Sequence, residues 1–153
     1  MTRRFVVRVP VVATAVAGVV GKVGRGTRAL AACTPGTCVR TIGPLGNGWP
    51  ALDGEGAPWV MLAGGVGSAP FLMGVEQALA GMDGQRAAAK EQIAFLFGAA
   101  RKGLLYDVDA FRALGVRVAT ATIDGSDGLR GNVLDLLREL WRRGELPERV
   151  RLL

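Results

Sequence analysis

Histidine is absent from this 153-residue chain and cysteine occurs only twice. Without imidazole there is no Ser-His-Asp triad and no histidine-based metal site. Two cysteines, Cys33 and Cys38, make no disulfide scaffold and fall short of a four-ligand zinc or iron–sulfur site. The Thr34-Pro35-Gly36-Thr37 stretch between them reads as a tight turn. The two thiols are therefore expected either to lie near each other across a hairpin or to be small buried side chains. Tyrosine occurs once, and the aromatics are five Phe, three Trp and that one Tyr. Such scarcity, with arginines scattered rather than clustered, argues against nucleic acid despite a net charge of +6. A basic surface that attracts anionic nucleotides or an acidic partner is the better expectation.

Long uninterrupted apolar runs are also missing. MTRR followed by apolar residues to Val20, then Leu30-Ala31-Ala32-Cys33, superficially resembles a lipoprotein leader. Lys22, Arg25 and Arg28 lie between the apolar run and the cysteine, where a leader stays apolar. Arg8 and Pro10 break the run, which is too short to span a bilayer. A soluble cytoplasmic protein with no membrane segment is expected.

What the chain has in quantity is glycine, 23 residues, in a sequence that is half hydrophobic. The central stretch is Met61 to Phe71, MLAGGVGSAPF. Trp59 to Leu62 is an apolar run without a polar break, Gly64, Gly65 and Gly67 follow, and Phe71, Leu72, Val75 and Leu79 recur at helical spacing. This predicts a buried strand, a glycine loop and a helix running from Gly67 to Ala80. Backbone N–H groups at such a junction suit a phosphate. The loop lacks the Lys-Ser/Thr of a P-loop and the G-x-G-x-x-G spacing. It reads as a cradle for a dinucleotide pyrophosphate or as a tight turn with no ligand.

Before this stretch, valine-rich Phe5–Val9 and Val11–Val23 favour strands. Thr27 to Ala32 favours a short helix, and Thr37 to Ile42 a strand. Gly24-Arg25-Gly26-Thr27-Arg28 forms a second glycine loop opening a helix, either a phosphate site or a plain strand–helix corner. Gly43 to Pro58, with five glycines and three prolines, reads as a connector. After it, Gln92–Phe97 and Val116–Ala121 read as strands. Asp107–Leu114 and Gly131–Arg143 read as helices, the second with Val133, Leu134, Leu136, Leu137, Leu140 and Trp141 on its apolar side. Ile123–Arg130 reads as a loop, and Arg149–Leu153 as the start of a fourth strand. Strand–helix alternation from residue 59 argues for a parallel sheet with helices on both faces. Ligands of such sheets bind at the carboxyl ends of the strands, which would gather the loops at 64–67, 98–102 and 123–130 on one edge. There Arg101 could meet a phosphate or simply face solvent. Asp124-Gly125-Ser126 could bond a ribose or amide, or cap the helix that follows.

GRGTRAL, GPLGNGW, AGGVGSAPFL, FLFGAAR and TIDGSDGLRGNVLDLL, in this order, resemble the electron-transfer subunit of dihydroorotate dehydrogenase, within the ferredoxin reductase-like flavoprotein superfamily. The resemblance covers roughly residues 15 to 143. It implies an α/β fold: a parallel-sheet NAD-binding domain of ferredoxin reductase type over residues 58–153, a connector at 44–57, and a partial β-barrel FAD-binding domain at 1–43. It also implies electron transfer between NAD(H) and FAD, in the family through a 2Fe–2S cluster to a dihydroorotate-oxidising catalytic subunit of pyrimidine biosynthesis. By the same resemblance, Gly26 and Thr27 contact FAD and Val19, Val20 and Gly21 fall on the flavin-binding strand. Gly64, Gly65, Val66 and Gly67 cradle the NAD pyrophosphate, and Asp124, Gly125 and Ser126 line the nicotinamide side. No side chain is implied as a catalytic acid or base. The family's Arg-Pro-x-Ser flavin motif, its Cys-Gly-Pro motif and its four cluster cysteines have no match here, so the expectation is a fold shortened at both ends. A general NAD(P)H-dependent flavin reductase and a non-catalytic nucleotide-binding or subunit-interaction remnant are the alternative readings.

Overall fold

The computed structural model describes residues 3–8, 15–20, 23–34, 36–39, 50, 52–81 and 86–153. The chain divides into two compact units, Met1–Gly48 and Trp49–Leu153.

In the first unit, β1 (Arg3–Arg8) and β2 (Ala15–Val20) pair antiparallel, with Arg3 opposite Val20 and Arg8 opposite Ala15. Helix α1 (Arg25–Ala32) follows. It starts two residues earlier than the sequence suggests, because Thr27 caps it from inside. The Thr27 hydroxyl accepts the Gly24 and Val23 N–H groups at 3.0 and 3.1 Å and donates to the Gly24 carbonyl at 3.2 Å. The strand expected over Thr37–Ile42 is not formed at 37–39; its other residues lie outside those described.

The second unit is a five-stranded, wholly parallel sheet in the order β6-β5-β4-β3-β7. Its strands and helices are β3 (Trp59–Gly64), α2 (Phe71–Ala80), β4 (Ile93–Ala99), α3 (Val108–Ala113), β5 (Arg117–Thr122), β6 (Leu129–Arg130), α4 (Val133–Arg142) and β7 (Arg151–Leu152). All seven residues of β4 are buried. A continuous apolar run is what a central parallel strand, covered on both faces, requires.

Strand alternation sorts the core into two layers. Trp59, Met61 and Ala63 of β3 and Ile93, Phe95 and Phe97 of β4 point to one face and pack with α2 and α3. Val60, Ala94, Leu96 and Ala121 point to the other and pack with Leu136, Leu137 and Leu140 of α4. Phe95 stacks on Phe111 at 3.9 Å between centroids and 13° between planes, which fixes the six-residue α3 to the sheet. From β3 the chain moves through β4 and β5 to β6, then α4 carries it across the opposite face to β7, on the far side of β3. The topological switch therefore falls between β3 and β7, at the strand that ends in the glycine loop.

Three expectations are corrected. Leu134 and Trp141 are 49% and 38% exposed rather than on the buried side of α4. Trp141 instead donates its indole N–H to the Pro147 carbonyl at 3.2 Å. The 123–130 segment is not all loop, because Leu129 and Arg130 pair in parallel with Ala121 and Thr122. A six-residue connection is shorter than parallel neighbours ordinarily allow. Finally, the cysteines are not buried: Cys33 is half-buried and Cys38 exposed. Among the described residues no helix is long and apolar enough to cross a membrane.

Candidate functional site at the carboxyl edge of the sheet

Parallel register brings three strand ends level. Gly64 of β3 lies opposite Gly98 of β4, and Gly98 opposite Ala121 of β5. After Gly64 the chain turns through a short 3-10 helix, Gly65–Ser68, and α2 begins only at Phe71. The sequence placed the helix start at Gly67; instead Ser68 tucks in, 3% exposed, and Pro70 occupies the N-cap.

The glycines on this edge serve different ends. A Cβ on Gly98 would sit 2.9 Å from both the backbone nitrogen and Cβ of Val133, so Gly98 lets the start of α4 close on β4. A Cβ on Gly128 would lie 2.0 Å from the Thr120 carbonyl oxygen, and its φ is +64°. Gly98 and Gly128 are thus required by the protein's own packing. Gly64 and Gly67 are not: no described atom lies within 4 Å of a Cβ built on either, and only Gly65, at φ +53°, needs glycine for its backbone. Val66 is 54% exposed beside them. Space left open at two glycines, at the switch point of a parallel sheet, is room for a ligand's close approach.

The loops after β4 and β5 are tied together. Ile123 and Asp124 donate their N–H groups to the Ala99 and Ala100 carbonyls at 3.1 and 3.2 Å. The Lys102 N–H donates to the Ser126 hydroxyl at 2.8 Å. That hydroxyl donates in turn to an Asp124 carboxylate oxygen at 2.6 Å, which also accepts the Ser126 N–H at 3.0 Å. These two bonds hold the Asp124 carboxyl below the usual carboxylate range. Ser126 therefore spends both its hydroxyl and its N–H donor inside the loop, and Asp124 presents a fixed negative charge with exposed surface.

Asp127 is the member of this edge that sequence reasoning did not single out. Its carboxylate accepts the Thr120 hydroxyl at 2.6 Å and pairs with Lys102 at 3.6 Å. Its backbone exchanges two hydrogen bonds with the buried Thr122 hydroxyl, at 3.0 and 2.8 Å. The repeated Asp-Gly at 124–125 and 127–128 was the available signal. The first pair makes the exposed turn, and the second folds the chain back to form β6. Arg101 and Arg130 are exposed on the same edge, giving it cationic surface.

The structure thus gathers Gly64, Gly65, Val66, Gly67, Asp124, Gly125 and Ser126 on one edge of one sheet, with Gly98 between. Val19 and Val20 lie on β2 and Gly26 and Thr27 in the first turn of α1, all in the first unit. Gly21 lies outside the described residues, as does the GPLGNGW string. The Thr27 hydroxyl is committed to its own helix start, while Gly26 is exposed with no described atom within 4 Å of its Cβ position. Among the described residues no three potential ligands are grouped to hold a metal ion.

An open parallel α/β unit with a glycine edge at its switch point defines the class. A solved structure of an NADH-dependent reduced ferredoxin-NADP oxidoreductase, a subject of flavin-based electron bifurcation, superposes with a TM-score of 0.62 and 28% identity, over 81% of this chain and 41% of that one. In sequence the chain is 34% identical over 123 residues to the electron transfer subunit of dihydroorotate dehydrogenase B (NAD(+)) of Desulforamulus reducens. It is 35% identical over 122 residues to the probable counterpart in Methanocella arvoryzae and 31% over 114 residues to that of Bacillus cereus. These matches cover 79%, 79% and 74% of the chain but 44%, 42% and 41% of the relatives, so the chain spans less than half their length. No protein-family profile matches. The resemblance to dihydroorotate dehydrogenase electron-transfer subunits is therefore shown over about three quarters of the chain or more.

Proposed function

We propose that this chain is a component of an electron-transfer oxidoreductase that passes electrons between NAD(H) and FAD. The observation that carries this reading is the open space at Gly64 and Gly67, at the switch point of the sheet. Neither packing nor φ demands glycine there, whereas a pyrophosphate lying on the backbone does. In this reading residues 58–153 form the NAD-binding domain, residues 44–57 the connector, and residues 1–43 part of a β-barrel flavin domain.

Bound NAD(H) and FAD would supply the hydride exchange themselves, so the protein's task is to bind and orient them. Gly64, Gly65, Val66 and Gly67 hold the pyrophosphate. Arg101 and Arg130 add favourable potential for an anionic ligand. Asp124, Gly125 and Ser126 border the nicotinamide side, where exposed Ile123 and Val66 offer apolar surface to a planar ring. Val19, Val20, Gly21, Gly26 and Thr27 take the flavin, Thr27 through its backbone because its hydroxyl is spent. The chain's two cysteines do not fit a 2Fe–2S cluster, which takes four ligands. The catalytic partner, by relationship, is the dihydroorotate-oxidising subunit, in the cytoplasm.

A second reading, a nucleotide-binding module without electron transfer, is favoured by the internal commitment of the Thr27 and Ser126 hydroxyls. Two titrations separate the readings. If FAD incubation followed by desalting leaves a visible flavin band that NADH bleaches without oxygen, the chain transfers electrons. NADH binding with no retained or reduced flavin selects the module. Failure to bind NADH overturns both.

A further inference from the structure

We propose that Cys33 and Cys38 form a dithiol that closes to an intramolecular disulfide across the Thr34–Thr37 turn. This inference is independent of the nucleotide site.

Cys33 caps the end of α1, its N–H donating to the Leu30 carbonyl at 3.2 Å. The chain then reverses. The Thr37 N–H donates to the Thr34 carbonyl at 3.0 Å, and the Thr37 hydroxyl accepts the Thr34 N–H at 3.1 Å. The two threonine hydroxyls lie 3.4 Å apart, so both side chains meet on one side of the turn. Gly36 has φ +92°, in the left-handed region that favours glycine. Such a turn holds its end residues within about 7 Å. The cysteines flank those ends directly, and a disulfide spans Cα separations of about 4.4–6.8 Å. The chain has no other cysteine to compete. Both thiols are free, Cys38 is exposed and Cys33 is half-buried, which leaves a small disulfide access to attack and exchange. Cys38 takes the first exchange and Cys33, whose thiol rests 3.5 Å from the Ala29 carbonyl, closes the ring.

The oxidant is a low-molecular-weight disulfide such as oxidised glutathione. The Cys38 thiol loses its proton, attacks one sulfur of that disulfide and expels one small thiolate. The Cys33 thiolate then attacks the Cys38 sulfur and expels the second. Two protein thiols are oxidised, one small disulfide is reduced to two thiols, and the charges balance. The closed form would fix the end of α1 to the chain leading towards GPLGNGW.

The test uses the full chain, equilibrated in glutathione redox buffers, quenched by alkylation and digested with trypsin. Arg28 and Arg40 bracket both cysteines, so residues 29–40 emerge as one peptide. The expected main product is that peptide lacking two hydrogens, with an equilibrium constant for closure roughly tenfold above that of the urea-denatured chain. Cys33→Ser and Cys38→Ser each stop at a glutathione mixed disulfide. Thr37→Val removes the Thr34 N–H contact and brings closure towards the denatured value. Persistent mixed disulfides in the unsubstituted chain, covalent dimers, or equal constants in folded and denatured chains would overturn the proposal, as would a Thr37→Val chain that closes like the parent.

Discussion

The Arg151 guanidinium grips Asp53 across 98 residues of sequence, with Nη1 2.7 Å from an Asp53 carboxylate oxygen. The same group donates to the Asp53 and Ala57 carbonyls at 2.9 and 2.7 Å and lies 4.0 Å from the centroid of the Trp59 ring. Trp59 completes the knot by donating its indole N–H to the Asp53 carbonyl at 3.0 Å. β7 pairs with Trp59 and Val60 of β3 and is bonded along its backbone to Pro58, Val60 and Leu62, and this side chain reinforces that short ladder.

Replacing Arg151 by alanine is therefore expected to lower the melting temperature by several degrees. Arg151→Lys should recover less than half of the loss, because one ammonium cannot reach three acceptors and stack on an indole. Thermal unfolding followed by circular dichroism gives the comparison. A lysine variant as stable as the parent would show that charge alone matters.

The glycines of the carboxyl edge should separate into two classes. Gly98→Ala forces the start of α4 off the sheet and is expected to cost about 1–3 kcal/mol. Gly64→Ala and Gly67→Ala meet open space and should change stability by no more than about 0.5 kcal/mol. The same two variants should weaken NADH binding by roughly tenfold, about 1.4 kcal/mol. Denaturant melts and NADH titrations of all three variants test both halves of this expectation.

Phe111 is 1% exposed and stacked on Phe95, and α3 is too short to persist without it. Phe111→Ala is expected to destabilise by about 3–5 kcal/mol, and Phe111→Leu by clearly less. Urea titration measures both. Equal losses would mean that the ring stack adds nothing beyond filled volume.

Acid should weaken the end of α4. Arg142 and Arg143 beside Glu139 pull its carboxyl from an ordinary 4.5 to about 2. A carboxyl whose folded pKa lies below its unfolded one stabilises the protein above 4.5, and that contribution is lost as pH falls towards 2. Glu139→Gln should thus flatten the melting-temperature profile between those limits and leave its shape near neutrality unchanged. Because the cluster is exposed, added salt should shrink the difference. A profile identical to the parent's would remove Glu139 from the acid response.

The sheet was largely legible because burial on both faces writes itself into composition. Gln92–Phe97 and Trp59–Leu62 could hardly be anything but central strands, and Phe71, Leu72 and Val75 fall on one face of any helix. Strand β6 was not legible. It exists because Thr120 and Thr122 hold Asp127, and because Gly128 permits a chain reversal that a side chain would block. Those contacts join residues five to eight apart, with no periodic signature. Trp141 was misplaced for a related reason: its spacing suits the buried face of α4, but the Pro147 carbonyl offers its N–H a partner at the surface.

By itself the sequence determined the parallel α/β unit and the glycine-rich strand–helix junction, since apolar run length and glycine position are local properties. The tertiary structure alone decided which glycines are occupied by protein and which stand open. Gly64, Gly67, Gly98 and Gly128 are the same residue in a sequence. They differ in what other strands and helices bring to within 4 Å of the place where a Cβ would be, and Gly128 differs also in its φ of +64°.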